Sequence, residues 1–152
     1  MLAACMMLRP QQVDYAIRPI PPELHVEVSS IAVAHYFNAL VQDSPTSFKI
    51  YLGIAPDVPW ALFSARLPTI PNVAFLEIER GINNARLKEL QDESGDTFVR
   101  LFLLTVSRWD PNCIHMKVAY IASSYGQIFR EYTLERVNGR WLITKDIITG
   151  VI

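Results

Sequence analysis

The sequence is poor in cysteine, in glycine and in net charge, and each shortage excludes a class of protein. Its 152 residues hold 2 Cys and 6 Gly, and 14 basic against 15 acidic residues give a formal net charge of -1. Two cysteines cannot build the disulfide framework of a small secreted scaffold. A charge near zero offers neither counterion release to a nucleic acid nor attraction to an anionic membrane. We therefore expect no nucleic-acid partner.

Long hydrophobic runs are also missing, since no stretch approaches the ~20 apolar residues of a transmembrane helix. We expect no transmembrane segment. Apolar residues are nevertheless abundant, and a hydrophobic share of 51% with 19% charged residues excludes a disordered chain. The length suits one domain with a sizeable core. We predict an N-terminal arm over residues 1–22 and a single α+β domain over residues 23–152.

The two cysteines, Cys5 and Cys113, lie in no metal-ligand spacing, so we predict free thiols, with one of them buried, and neither a metal nor a cofactor. Leu2-Ala3-Ala4-Cys5 is similar to a bacterial lipobox, in which the cysteine is lipidated. A lipobox needs a basic and apolar stretch before it, and four residues precede Cys5. The default prediction is a cytoplasmic protein; a start codon placed too late would instead make it an envelope lipoprotein.

Proline divides the chain, because nine of the ten prolines precede residue 72. The first half should therefore consist of short elements joined by rigid corners. An apolar stripe over Glu23–Val41 predicts one long helix, with Pro22 at its first position and Pro45 beyond its end. Alternation over His25–Val28 leaves a strand open as an alternative for the first turn.

Residues 48–97 carry weaker signals. Phe48–Leu52 suits either a strand or a helix extension, and the pattern does not decide between them. Asp57 is a candidate N-cap for a short helix. The other elements predicted here are a short helix over Pro59–Arg66, a strand over Asn72–Glu79, and a loop over residues 80–97 with at most one helical turn at Arg86–Leu90.

The last third of the chain predicts four antiparallel strands in a meander. Asn138-Gly139 separates two alternating runs and is the strongest short-range signal for a β-hairpin. A second break at Ser124–Gly126 requires either an odd-length loop or a bulge if the apolar faces are to match, and we predict the left-handed conformation for Gly126. The predicted strands are Phe98–Arg108, Ile114–Ala122, Gln127–Val137 and Arg140–Ile148.

The hairpin register predicts which side chains are buried. With Val137 opposite Arg140, Leu134 faces Ile143 and Tyr132 faces Lys145. The predicted core side carries Ile128, Tyr132, Leu134, Trp141 and Ile143. The predicted solvent side carries Glu131, Thr133, Glu135, Thr144 and Asp146.

Two features of this pattern could carry chemistry. Glu131 and Asp146 lie opposite each other in the predicted register, which suits either a carboxylate pair for proton transfer or an ordinary solvated face. We favour the solvated face. His35 lies mid-helix among apolar residues, where a partly buried histidine with a satisfied hydrogen bond is the more common role than a general base. No catalytic motif is present, so we predict no catalytic residue.

A set of aromatic residues offers the best candidate ligand site. Tyr36, Trp60 and Tyr120, with His35 beside them, could line a pocket between the helix and the sheet, where ring faces supply contact area and hydroxyls supply polar contacts. Core packing is the competing interpretation of the same residues.

The segment Asp92–Ile148 resembles a C-terminal module found in small proteins of unknown role. Its motifs here are Asp92-Glu93-Ser94-Gly95 before a long strand, Trp109 at the end of that strand, and Asn138-Gly139-Arg140-Trp141 at the hairpin. A helix followed by a meander also resembles the nuclear-transport-factor-like and cystatin-like α+β folds. That resemblance implies a curved antiparallel sheet around a long helix, with a conical pocket in some members. Together with the short helix predicted over Pro59–Arg66, the expected fold is a long and a short helix packed on a curved antiparallel sheet that ends in a four-strand meander.

Two functions follow as predictions. The first is a non-catalytic binding or protein-interaction domain, with a homodimer through the sheet face as one form of it. The alternative is a carrier or enzyme for a small molecule, with its pocket between helix and sheet. The missing motifs favour the first.

Overall fold

The computed structural model describes residues 19–40, 46–55, 58–123 and 126–152. Within these residues the chain forms helices and one six-stranded sheet, which confirms the predicted α+β class. In chain order the elements are α1 (Pro22–Leu40), β1 (Phe48–Gly53), α2 (Trp60–Ser64), β2 (Val73–Glu77), α3 (Asn84–Glu93), β3 (Phe98–Asp110), β4 (Cys113–Ser123), β5 (Gly126–Val137) and β6 (Arg140–Val151).

The sheet is mixed, so the prediction of an antiparallel sheet is wrong in its first half. The strand order is β2-β1-β3-β4-β5-β6, and β1 runs parallel to both β2 and β3. A helix lies between β1 and β2 and another between β2 and β3, and such crossovers return the chain in the same direction. From β3 onward each strand pairs antiparallel with the next.

Helix α1 begins at Pro22, where a missing backbone N–H costs nothing, and its first turn is helical rather than extended. Its side chains Val28, Val33 and Phe37 are buried against the sheet. Residues 41–45, where the helix was predicted to end, lie outside the described residues. Helix α2 is shorter than predicted, and its predicted cap Asp57 also lies outside them.

Helix α3 lies within residues 80–97, where the sequence predicted a loop with at most one helical turn, so that prediction is wrong. The side chain of Asn83 caps the helix by accepting a hydrogen bond from the backbone N–H of Arg86 at 2.9 Å. Leu87 and Leu90 pack against a small second core on the far side of the sheet. The sequence signal was weak because most of the other helix positions are polar.

The two sides of the sheet differ in what covers them. We call the side under α1 and α2 the helix face and the other side, which α3 covers in part, the reverse face. The main core lies on the helix face. Met116, Tyr132, Leu134 and Trp141 are buried there, as the hairpin pattern predicted.

The turn between β4 and β5 shows the predicted bulge, as a register shift between Ile121 and Ser123. Gly126 does not have a positive φ, so its predicted left-handed conformation is wrong. Residues 124 and 125 lie outside the described residues.

A second bulge, at Thr144 in β6, was not predicted. Leu134 pairs with Ile143 as expected, but Thr133 pairs with Lys145 and Tyr132 with Asp146, so the predicted pairing of Tyr132 with Lys145 is wrong. One extra residue moves every following side chain to the opposite face. Asp146 therefore lies on the helix face rather than opposite Glu131, and the carboxylate pair does not form.

Cys113 is buried, but it is not a free thiol, contrary to the prediction. Its sulfur takes part in a disulfide bond whose other half is outside the described residues. Cys5 and its lipobox-like sequence also lie outside them, as does the arm up to residue 18. Of the helices in the described part of the chain, none is both long and apolar enough to cross a bilayer.

Candidate functional site

Three charged or titratable side chains meet where α1 crosses β5 and β6. The Nε2 atom of His35 lies 3.0 Å from Asp146 Oδ2, and Arg130 Nη1 donates to Asp146 Oδ1 at 3.0 Å. A carboxylate oxygen accepts, so Nε2 of His35 supplies the proton of this contact. The side chain of His35 is 42% exposed and that of Asp146 is 26% exposed, so solvent reaches this group.

Tyrosine rings enclose the buried side of this cluster. Tyr132 contacts the His35 ring edge-on, with centroids 5.2 Å apart, and Tyr36 stacks near Tyr120 at 5.3 Å. The Arg130 guanidinium lies 5.8 Å from the centre of the Tyr36 ring. Together these contacts fix the guanidinium between an aromatic ring and a carboxylate.

Burial keeps the surrounding phenols neutral. It raises the pKa of Tyr36 to about 12, with the nearby Tyr120 adding to the effect. Burial also raises the pKa of Tyr132 and of Tyr120 above the ordinary value. The hydroxyl of Tyr132 and Nε of Arg130 are buried without a hydrogen-bond partner. The cluster therefore holds two buried groups that can each donate a hydrogen bond, a phenol hydroxyl and a guanidinium N–H, and these suit an oxygen acceptor.

The structure brings together three of the four predicted ligand-binding residues. His35, Tyr36 and Tyr120 lie in the cluster just described. Trp60 lies apart, with its ring 5.9 Å from that of Phe63, and it borders a separate cavity of about 280 Å³. Binding of a ligand by any of them stays a prediction. Sequence reasoning considered Asp146 only as a partner of Glu131 and did not place it or Arg130 in this cluster, because the Thr144 bulge that brings Asp146 beside His35 has no sequence signature.

A second candidate is the outer edge of the sheet. Strand β6 has 12 residues, and within the described part of the chain β5 is the strand that pairs with it. Among the described residues, no second strand pairs with its other edge. The described residues include seven exposed large hydrophobic side chains, and five of them belong to this strand and the residue after it. They are Leu142, Ile147, Ile148, Val151 and Ile152.

Metal binding has no support in the described residues, where no group of three or more His, Cys, Asp or Glu side chains is arranged to hold an ion. Comparison with known proteins adds no family: no protein-family model matches the chain, and no curated protein or solved structure is significantly similar to it.

Proposed function

We propose that the chain is a non-catalytic protein-interaction domain that binds a second copy of itself through strand β6. One observation carries the proposal: five of the seven exposed large hydrophobic side chains in the described residues cluster on the open edge of the sheet. A long apolar edge strand is a template for pairing with another strand.

The two edges of the sheet are unequal, which supports β6 as the pairing edge. The opposite edge strand, β2, has 5 residues and β6 has 12. Two bulges interrupt β6, at Thr144 and Thr149, and bulges and a lysine on an edge weaken unspecific pairing. The four residues between the bulges, 145–148, keep regular alternation and can form a short specific ladder.

The side chains of this segment suit pairing with itself. In an antiparallel pair with a two-fold axis at Ile147, that residue lies opposite its own copy and Asp146 lies opposite Ile148 of the second chain. Lys145 then faces Thr149, so neither charged residue faces a like charge. Such a pair has twofold symmetry, which is the commonest symmetry of protein oligomers.

Sedimentation equilibrium of the purified chain tests this proposal. We expect a concentration-dependent dimer in the wild type and a monomer for Ile147→Lys, because two lysines would face each other across the axis. The matched control is Leu62→Lys on α2, where an apolar side chain of similar exposure (57% against 42%) lies away from β6. A wild-type monomer at all concentrations, or equal loss of dimer in both variants, contradicts the proposal.

A small-molecule site at the His35 cluster is the second candidate function. It is favoured by the two partnerless buried donors, Tyr132 Oη and Arg130 Nε, beside a solvent-accessible histidine. A molecule with an aromatic ring and an acceptor oxygen would match the Tyr36 and Tyr120 rings and these donors. The site lies on the helix face and does not use the pairing edge of β6.

Titration with phenylacetate, followed by the NMR signals of the tyrosine rings, tests this second candidate. We expect saturable shifts at Tyr36 and Tyr120, and binding weakened by about tenfold in Tyr36→Leu through loss of the ring and hydroxyl contacts. Tyr51→Leu, at the second core, is the control. Absence of saturation, or the same weakening in both variants, rules this site out for such ligands.

The resemblance to nuclear-transport-factor-like and cystatin-like folds also belongs to this proposal. It is supported by a long helix lying against the sheet and by four final strands that pair in succession. The parallel strand β1 is the feature that departs from that pattern.

A further inference from the structure

A row of four polar side chains crosses the reverse face of the sheet. Arg108 of β3 pairs with His115 of β4, His115 with Thr133 of β5, and Thr133 with Lys145 of β6. The side chains also touch: Arg108 Nη2 lies 3.4 Å from His115 Nε2, and Thr133 Oγ1 lies 3.4 Å from His115 Nδ1. The row therefore places a guanidinium at one end and an ammonium at the other.

This row forms the floor of a cleft. Its volume is about 430 Å³, which is within the range of small-molecule sites. Besides the four residues of the row, Ser107 and Glu131 contribute to its lining. The two cationic groups and the hydroxyl of Thr133 are able to donate hydrogen bonds into it, whereas the hydroxyl of Ser107 donates to the backbone carbonyl of His115 at 3.1 Å.

The two cations in the cleft are not neutralised by nearby carboxylates. Among the residues that the structure describes, no carboxylate oxygen lies within 4.0 Å of Arg108 or of Lys145. Glu131, the carboxylate in the cleft lining, lies opposite Lys117 in the strand register and forms no ion pair with Arg108 or Lys145. A ligand of opposite charge would therefore gain from both ends of the row.

Two other carboxylates on this face, those of Asp110 and Glu135, lie outside the cleft lining. Asp110 is buried and accepts hydrogen bonds from the backbone N–H groups of Asn112 and Cys113 at 2.7 and 2.9 Å. Glu135 is buried in the neighbouring row, opposite Cys113, and does not line the cleft. Neither supplies a counter-charge within 4.0 Å of Arg108 or Lys145.

We propose that this cleft binds an oxyanion, the phosphate or carboxylate group of a small molecule, between Arg108 and Lys145. The planar guanidinium of Arg108 matches two oxygens of such a group, and the ammonium of Lys145 supplies a point charge from the other side. Thr133 lies between them, and its hydroxyl can donate to a further oxygen. The inference does not rest on the proposed β6 interface, although Lys145 and Ile147 of the cleft lining also belong to the segment proposed to pair. Sedimentation equilibrium of each variant keeps the failure of one proposal distinguishable from the failure of the other.

Calorimetric titration at low ionic strength tests the site with three probes: inorganic phosphate, phenyl phosphate and acetate. Saturable one-to-one binding of any probe supports the proposal, and the tightest probe identifies whether a free phosphate, a phosphate ester or a carboxylate is preferred. No saturable binding of any of the three overturns it. Because the variant Ile147→Lys changes a residue of the cleft wall, the wild-type chain is used.

Matched variants show whether the binding belongs to this cleft. Arg108→Gln and Lys145→Gln should each weaken binding by about tenfold or more, because each removes a charged hydrogen bond. The controls are Arg66→Gln and Lys88→Gln, which remove the same charges outside the cleft. Weakening of equal size in the controls would show unspecific attraction to net charge and would overturn the proposal. Unfolding curves of all four variants identify any that fail to fold, and Arg108→Lys then replaces a misfolded Arg108→Gln.

Discussion

At the scale of single residues, Asp146 links three elements of the fold, and no pattern in the sequence indicates this role. It joins α1 to β5 and β6 through His35 and Arg130. Tyr36 and Tyr120 could be placed near each other from the sequence, because aromatic residues on a helix and a sheet share a core. Asp146 could not, because in strict alternation it falls on the solvent side with Glu131, and the bulge at Thr144 reverses its face.

The substitution Asp146→Asn measures what this connection contributes to stability. It keeps the shape of the side chain and removes the charge, so we expect a loss of about 1–2 kcal/mol in the free energy of unfolding for a partly buried charged pair. Urea unfolding provides the measurement. The control is Glu79→Gln, which breaks the exposed ion pair with Arg86 and should cost clearly less, because solvent screens that pair. An equal loss in both variants would contradict the connecting role of Asp146.

The buried tyrosines predict how stability changes at alkaline pH. The pKa of Tyr36 is about 12 in the folded chain against 10.0 for an ordinary tyrosine. Because the folded value is raised, the stabilisation is fully present below about pH 10 and is lost as the pH rises from there toward about 12. Urea midpoints measured across this window should fall less steeply for Tyr36→Phe, which has no hydroxyl to ionise. Parallel curves for the two proteins would show that Tyr36 does not contribute.

At the scale of elements, predictability follows the strength of local signals. The hairpin of β5 and β6 was predictable because a type I′ turn requires positive φ at both central residues, and Asn-Gly is the pair that adopts it most readily. Asn138 and Gly139 have φ values of 51° and 76°. Helix α3 was missed because its apolar face has two residues, Leu87 and Leu90, and its stability comes from a core formed by distant strands. The parallel direction of β1 was missed for the same reason, since no local pattern encodes strand direction.

Two glycine substitutions in this hairpin distinguish the cost of an unfavourable backbone φ from the cost of crowding around an added side chain. Gly139→Ala should lower the free energy of unfolding by roughly 1 kcal/mol, because alanine resists a φ of +76° even in open space. Gly150→Ala is the control: its added Cβ would lie 3.4 Å from Phe129, an ordinary contact, so we expect a change of about 0.5 kcal/mol or less. Thermal unfolding of the two variants checks this, and the reverse order of stability would show that the turn is wrongly assigned.

At the scale of the whole molecule, the sheet places different chemistry on its two faces and at its edge. The helix face holds the main core and the His35 cluster, the reverse face holds the cationic cleft, and β6 carries an apolar edge. The net charge of the sequence is close to zero, but two cationic side chains come together in one cleft of the sheet. Composition predicted the class of domain, but the separate surfaces depend on strand order and on bulges, which composition does not contain.

Backbone hydrogen exchange of β6 at several protein concentrations tests the central claim most directly. If two copies pair along this edge, amides of residues 145–148 that point away from β5 should exchange more slowly as concentration rises, because they become hydrogen-bonded. Amides of the opposite edge strand, β2, should be unaffected and serve as the internal control. Exchange in β6 that is equally fast at all concentrations would contradict the proposal that the chain acts through this strand.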